Sequence, residues 1–208
     1  MSDINLVRVF PTTIFYYTIP NYKELNKKLI KEIYRLEKSS EDKNVVRSNQ
    51  GGYHSELDLQ FNNKFNDLTK EILKVSNEII ARDYTYEIYH KQGYEVNKIE
   101  AMWFNINRHL NYNTTHMHPN SWVSGAYYLK TPDISSKCLD FDDPIRERTY
   151  SENYSANTYR HPVSDGMLVL FPGWLTHSVP ANMSKEDRIT ISFNICKPKD
   201  NLSVSHKE

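Results

Sequence analysis

Two histidines separated by a single residue, His116 and His118, are the part of the sequence most suggestive of chemistry. Side chains two residues apart on a β-strand point to the same side, so both imidazoles can converge on one point. A third histidine, His177, follows an apolar stretch, 168–171, which is expected to turn at 172–173 and return with the histidine on it. Imidazole is the commonest protein ligand for divalent transition metals, and three on one side leave positions open for substrate. The spacing predicts a metal site; the alternative is a polar strand end that carries histidines by chance.

Arg188 begins a segment in which polar and apolar residues alternate. On a strand, one face then carries Arg188, Thr190, Ser192 and Asn194. An arginine that faces inward must be paired, because a lone buried charge is costly. Its planar fork fits a carboxylate in bidentate fashion. The partner is expected to be either the carboxylate of a ligand or an internal acid, for example Asp140, Asp142 or Asp143.

The first third of the chain contains the elements that must brace such a site. Residues 4–18 predict an edge strand or extended arm, because Pro11 cannot donate to a sheet. Asn21 and Glu24 form a capping-box pattern before a helix. The apolar face of that helix comprises Leu25, Leu29, Ile33 and Leu36. Residues 38–56 predict a loop or short hairpin at Gly51-Gly52. A second helix is predicted by the spacing of Phe61, Phe65, Leu68, Ile72, Val75 and Ile79.

From about residue 84 the pattern becomes that of strands. Four segments have β-type composition: 99–107, 123–129, 167–171 and 189–195. Strands separated by turn signals predict a sandwich or barrel, and helices followed by strands predict an α+β protein whose helices brace a β-core.

The overall composition narrows the class of protein. The chain has 208 residues, which favours a single domain. Twenty-six basic and 26 acidic residues balance, which argues against a nucleic-acid or membrane-surface partner. Its apolar runs are too short to span a bilayer, and its first residues lack a signal-peptide pattern. Two cysteines are too few for a disulfide framework, which favours the cytoplasm.

Taken together, these motifs resemble the Fe(II)/2-oxoglutarate-dependent oxygenase superfamily, in particular a small bacterial and phage branch of it. The resemblance covers roughly 99–197 and extends weakly into the helices. It is carried by the segments 103–107, 116–121, 124–129, 143–146, 166–177 and 188–194. It implies a double-stranded β-helix, or jelly roll, over 84–197. The arm and helices would occupy 1–83, and a flexible tail 198–208.

The resemblance also assigns roles to particular residues. His116 and His177 match the first and last metal ligands, with His118 where the superfamily usually has Asp or Glu. Asn120, Asp142 and Asp143 are the alternatives for that third ligand. Arg188 matches the residue that binds the distal carboxylate of 2-oxoglutarate. Further cosubstrate contacts are implied for Thr190, Tyr128, Asn105 and Asn107.

The resemblance implies an Fe(II)-dependent oxygenase, in particular a hydroxylase, that uses 2-oxoglutarate and O2 on an unidentified substrate. Two alternatives stay open: a non-catalytic jelly-roll binding module, and a cupin-like three-histidine dioxygenase that needs no 2-oxoglutarate. Trp103, Trp122 and Trp174 are candidates for the mouth of the site. The apolar arm, 7–17, could pair across a homodimer.

Overall fold

The protein is built around two antiparallel β-sheets that face each other, with two helices outside one of them. The computed structural model describes residues 12–39, 44–82, 98–132, 137–145 and 157–196. The first part of the predicted arm and the predicted tail, 198–208, lie outside the described residues. No helix among the described residues is long and apolar enough to cross a membrane.

The helices are α1 (Tyr22–Lys38) and α2 (Asn66–Arg82). The six-stranded sheet has the order β1-β9-β6-β11-β4-β3. Its strands are β1 (Phe15–Thr18), β3 (Tyr53–His54), β4 (Ala101–Asn107), β6 (Val123–Lys130), β9 (Met167–Pro172) and β11 (Arg188–Ile195). The five-stranded sheet has the order β2-β5-β10-β7-β8. Its strands are β2 (Asn49–Gln50), β5 (Tyr112–His116), β7 (Cys138–Asp142), β8 (Thr158–Pro162) and β10 (His177–Val179). The predicted α+β layout and the four long predicted strands are confirmed.

Alternation along the central strands separates an apolar layer from a polar one. One face of the six-stranded sheet packs against both helices, and its buried side chains include Phe104, Tyr127 and Ile191. The opposite face looks into the space between the sheets, where Tyr128 and Val169 meet the five-stranded sheet. Because side chains alternate along a strand, every second residue of β4, β6 and β11 faces the space between the sheets, where a site can form.

A buried polar contact ties α1 to the six-stranded sheet. Asn26 donates from Nδ2 to the carbonyl of Leu129 at 2.9 Å, and its Oδ1 accepts from the hydroxyl of Tyr127 at 2.5 Å. Leu29 and Ile33 are buried on the apolar face of α1, and Tyr34 donates from its hydroxyl to Asp187 at 2.8 Å near the end of the helix. Since buried polar groups need partners, the pair of Asn26 and Tyr127 fixes where the helix sits along the sheet.

Two local predictions were wrong. Asn21 adopts a left-handed backbone conformation (φ 55°) and makes no side-chain cap, so α1 begins without a capping box. Phe61 is 83% exposed and precedes α2, whereas Leu59 is buried instead. Short 3-10 turns at 59–65 break the helical spacing before α2 begins.

The segment around Gly51 and Gly52 does not form a hairpin. β2 pairs with β5 and β3 pairs with β4, so the chain crosses from one sheet to the other at the two glycines. Both glycines have positive φ, and a Cβ at Gly52 would lie 2.7 Å from the carbonyl oxygen of Ile106. The crossing therefore depends on the absence of side chains there. It also brings strands from 1–83 into both sheets.

Candidate metal and cosubstrate site

The three predicted histidines lie together at one end of the space between the sheets. His116 ends β5 and is paired in register with His177, the first residue of β10. His118 lies beyond the end of β5, so it does not share a strand with His116 as predicted. A turn carries it instead: its amide donates to the carbonyl of Gly173 at 2.9 Å, and its carbonyl accepts from the amide of Ser121 at 3.2 Å.

The imidazoles are close enough to share one ion. One nitrogen of each ring lies within 4.8 Å of the other two. The Nε2 atoms of His118 and His177 are 3.2 Å apart, and the ring centroids of His116 and His177 are 4.3 Å apart. Among the described residues, no carboxylate joins this group. Three imidazoles without an acid form a ligand set that suits iron, zinc, copper or nickel.

Backbone carbonyls orient two of the three rings. The Nδ1 of His116 is 2.7 Å from the carbonyl oxygen of Thr114, and the Nδ1 of His177 is 2.9 Å from that of Leu175. A carbonyl can only accept, so each Nδ1 carries the proton and each Nε2 keeps its lone pair. This is the arrangement by which neighbouring groups usually prepare a histidine to bind a metal.

Burial keeps the three rings neutral. It lowers the pKa of His118 to about 4 and that of His177 to about 3, in each case with a smaller contribution from the charge of His116. Burial also lowers the pKa of His116. Neutral imidazole is the form that binds a metal, so protons compete little for this site at neutral pH.

The alternative third ligands lie elsewhere. Asp142 accepts from the hydroxyl of Thr158 at 3.2 Å, and Asp143 accepts from the amide of Ile145 at 2.8 Å. Both line a separate cavity of about 450 Å³. Asn120 is exposed, in a turn with φ 67°, and does not line the histidine cavity.

The histidines open into a cavity of about 540 Å³ that also contains the predicted cosubstrate residues. Arg188, Thr190, Tyr128 and Asn105 all line it. Arg188 is 2% exposed; its guanidinium carbon lies 5.4 Å from the ring centroid of Tyr128, and its Nη2 is 3.5 Å from the carbonyl oxygen of Cys138. Asp140, an acid considered as its partner, forms an ion pair with Arg160 at 2.7 Å.

The charge and hydroxyl groups at this end of the cavity are deeply buried. Burial lowers the pKa of Arg188, and Tyr128 partly offsets that effect. Burial raises the pKa of Tyr128 to about 12, against the opposing effect of Arg188. At neutral pH the pair therefore offers one positive charge and one phenolic hydroxyl to an anion in the cavity.

The two predicted asparagines occupy different places. Asn105 lines the cavity, and its Nδ2 is 3.4 Å from the hydroxyl of Ser192. Its Oδ1 is buried without a hydrogen-bond partner among the described residues. Asn107 does not line the cavity; its Nδ2 donates to Asn113 at 3.0 Å and its carbonyl accepts from Asn182 at 2.8 Å. Asn107 thus supports the strand behind the cavity.

Several lining residues were not predicted. His54 stacks on Trp103 with ring centroids 5.6 Å apart, and the hydroxyl of Ser48 lies 3.4 Å from the Nε2 of His116. Both come from the crossing segment, whose two-residue strands are too short to show a pattern. Of the tryptophans, Trp103 lines the cavity, whereas Trp122 packs on the core and Trp174 is 52% exposed.

Comparisons with known proteins agree with this geometry. The family model "Putative 2OG-Fe(II) oxygenase" matches residues 101–194. Comparison with curated protein sequences gives no match.

Solved structures with the same fold include a Pseudomonas putida prolyl-4-hydroxylase, with 13% identity, a TM-score of 0.62, and coverage of 90% of this chain and 94% of that one. A prolyl hydroxylase from Trichoplax adhaerens, in complex with a hypoxia inducible factor peptide fragment, shows 14% identity, a TM-score of 0.58 and coverage of 88% and 83%. HygX from Streptomyces hygroscopicus, with nickel and 2-oxoglutarate bound, shows 11% identity, a TM-score of 0.58 and coverage of 90% and 84%.

The fold and the histidine group define a jelly-roll protein with a metal-type site between its sheets. Within that class, residues 101–194 match the model of the 2OG-Fe(II) oxygenase family, as the motifs predict.

Proposed function

We propose that the protein is an Fe(II)- and 2-oxoglutarate-dependent oxygenase that hydroxylates its substrate. The observation that carries the proposal is the sharing of one cavity by three neutral imidazoles and a buried arginine. Three imidazoles without the arginine would fit many classes of metal-binding protein. The arginine adds a place for a second carboxylate at a distance from the ion, which an oxo-diacid needs.

The donor set fits a divalent iron. His116, His118 and His177 would hold it through Nε2, because Nδ1 of His116 and of His177 is engaged with the backbone. Three protein ligands leave positions open for a bidentate oxo-acid and for O2. When bound, the ion supplies the oxidative decarboxylation of 2-oxoglutarate and the oxidation of the substrate.

The chain's own residues bind and orient the cosubstrate. Arg188 would bind its distal carboxylate as a charge-assisted pair, with the hydroxyls of Tyr128 and Thr190 donating to the same group. Asn105 lines the same cavity and could bond the cosubstrate at its other end. Trp103 and Phe171 cover the histidines on two sides, with rings 5.7 Å from His118 and 4.6 Å from His177, and so exclude water.

An anaerobic titration tests the proposal. We expect the protein to bind Fe(II), then 2-oxoglutarate, with a weak charge-transfer absorption band, and to release succinate once O2 is admitted. His177→Ala should abolish metal binding, whereas His109→Ala, which alters an exposed histidine, should not. Arg188→Gln should weaken 2-oxoglutarate roughly a hundredfold, since it removes a buried charge-assisted bond of about 3 kcal/mol.

The alternatives give different results. Metal binding without 2-oxoglutarate binding would favour a non-catalytic module. Product formation that ignores 2-oxoglutarate would favour a three-histidine dioxygenase. In either case Arg188→Gln would leave the measured property unchanged.

We also propose a cellular compartment and an oligomeric state for the enzyme. Its two cysteines, Cys138 and Cys196, form no disulfide, which suits the cytoplasm. Among the described strands, β1 forms one edge of the six-stranded sheet, and we propose this edge as the contact of a homodimer, which sedimentation would detect. The balanced charge makes a nucleic-acid partner unexpected.

A further inference from the structure

The cavity has one arginine buried within it and a second at its surface. Arg188 is buried beside Tyr128, whereas Arg47 also lines the cavity but is exposed. The described residues that line the cavity include no aspartate and no glutamate. Its fixed charge, as far as these residues define it, is positive before any ion binds.

Arg47 is held beside the histidines by its neighbours. Its amide donates to Oδ1 of Asn49 at 2.7 Å. The next residue, Ser48, is fastened to β5: its carbonyl accepts from the amide of Thr114 at 2.9 Å, and its hydroxyl accepts from Asn113 at 3.1 Å. The strand that ends in His116 therefore also fixes the backbone that carries Arg47.

A ligand set without a carboxylate adds to the positive charge of the cavity once an ion is bound. A usual ligand set with one carboxylate lowers the charge of the ion, whereas three neutral imidazoles leave a divalent ion with both of its charges. Bound 2-oxoglutarate, a dianion, balances the ion alone. The ion, 2-oxoglutarate and the described lining residues together then keep a net positive charge, to which Arg47 contributes at the mouth of the cavity.

Apolar side chains accompany Arg47 at the mouth. Leu57 and Met117 line the cavity and are 37% and 54% exposed. Exposed apolar groups beside a cation form a surface that suits a molecule with both an apolar body and a negative group.

We propose that the primary substrate is an organic anion, whose carboxylate or phosphate binds Arg47 and whose apolar body lies against Leu57 and Met117. The proposal rests on the proposed function, because it takes the second occupant of the cavity to be the molecule that is oxidised. Arg47 is then a specificity-determining residue, and Arg188 serves the cosubstrate.

The test uses full-length protein loaded with Mn(II) and saturated with 2-oxoglutarate, so that added anions cannot take the cosubstrate's place. Three pairs of probes are titrated by calorimetry: benzoate and benzamide, indole-3-acetate and indole-3-acetamide, and phenyl phosphate and phenol. We expect at least one anion to bind roughly tenfold more tightly than its neutral counterpart, as a charge-assisted bond at an accessible site provides. The carboxylate and phosphate pairs show which group is preferred.

Variants assign the preference to Arg47. Arg47→Gln should remove the difference between anion and neutral probe, and Arg47→Lys should keep part of it. Arg35→Gln, which alters an exposed arginine paired with Glu32 on α1, should leave it intact. A panel in which no anion binds better than its counterpart, or an equal preference in Arg47→Gln, overturns the proposal. The affinity for 2-oxoglutarate, measured first in the same titration, reports separately on the proposed function.

Discussion

The Nε2 atoms of His118 and His177 face each other at 3.2 Å, and burial keeps both rings neutral. Two neutral imidazoles at that separation have no favourable contact unless one donates to the other or both face an ion. Because the Nδ1 of His177 already carries the proton, its Nε2 can only accept. Without an ion, His118 can satisfy this contact by donating from Nε2 to His177; with an ion, both lone pairs can face it, as the proposed ligand roles require.

Acid should destabilise the metal-free protein through these rings. Their pKa values are lowered in the folded state, to about 4 for His118 and about 3 for His177, so unfolded chains bind protons that folded chains do not. The folded state keeps its full stability above the ordinary histidine pKa of about 6.5, and it loses stability as the pH falls towards the lowered pKa values of the folded state. Urea denaturation of metal-free protein between pH 7 and pH 4.5 should therefore show falling stability. His177→Phe should flatten that dependence, and an unchanged slope in this variant would contradict the assignment.

Gly173 positions one of the histidines. A Cβ at this residue would lie 2.2 Å from the carbonyl oxygen of Ser121, in the turn that carries His118. Gly173→Ala should therefore displace His118 and weaken Mn(II) binding at least roughly tenfold, since an ion tolerates little misplacement of its ligands.

A second glycine provides the control for that prediction. Gly166→Ala creates a similar clash with Tyr22, 2.2 Å away, but beside α1. It should lower the melting temperature without changing the affinity for Mn(II), which calorimetry on the folded protein can check. Equal metal affinity in Gly173→Ala would show that the turn can relax.

At the scale of elements, the contact between α1 and β6 is the most specific link between helices and sheet. Tyr127→Phe removes the hydroxyl that donates to Asn26 and leaves a buried amide oxygen short of a partner. We expect a loss of about 1–3 kcal/mol in the free energy of unfolding. Tyr112→Phe, at an exposed tyrosine, should cost almost nothing. Neither should change metal binding, because Tyr127 faces the helices rather than the cavity.

The sequence predicts the long elements well for a physical reason. β4, β6, β9 and β11 alternate or are continuously apolar over six to eight residues, so burial on one face determines them. The crossing segment could not be predicted in this way. Its two strands have two residues each and are fixed by tertiary pairing, so neither His54 nor Arg47 carried a local signal. Phe61 was assigned to a helix because its spacing fits, although the 3-10 turns expose it.

The candidate site was predictable to a similar extent. His116, His118, His177 and Arg188 were found because strand spacing and motif order point to them, and the structure brings the three histidines into one cavity with Arg188. Their roles as ligands and anchor stay predictions. Asn105 and Asn107 have the same alternation, yet only Asn105 reaches the cavity, because Asn107 turns to Asn113. Such a choice of partner depends on three-dimensional packing.

For the whole molecule, ligand binding should appear as an increase in stability and so in the melting temperature. A ligand present at 100 times its Kd stabilises a folded protein by about 2.7 kcal/mol. Ni(II) should raise the melting temperature, and 2-oxoglutarate should raise it again. In Arg188→Gln the first rise should remain and the second should vanish, which differential scanning fluorimetry can measure. A second rise of equal size in this variant would mean that another residue anchors the cosubstrate.

The two halves of the site belong to different sheets. His116 and His177 lie on the five-stranded sheet, whereas Arg188, Thr190 and Tyr128 lie on the six-stranded one. Phe141 of β7 and Phe171 of β9, with ring centroids 5.0 Å apart, pack against each other across the two sheets. If the histidines hold the ion and Arg188 anchors the cosubstrate, as proposed, the separation of the two sheets determines which length of diacid fits between them. A smaller side chain at either position would let the layers close and shift the preference towards a diacid one carbon shorter, such as oxaloacetate.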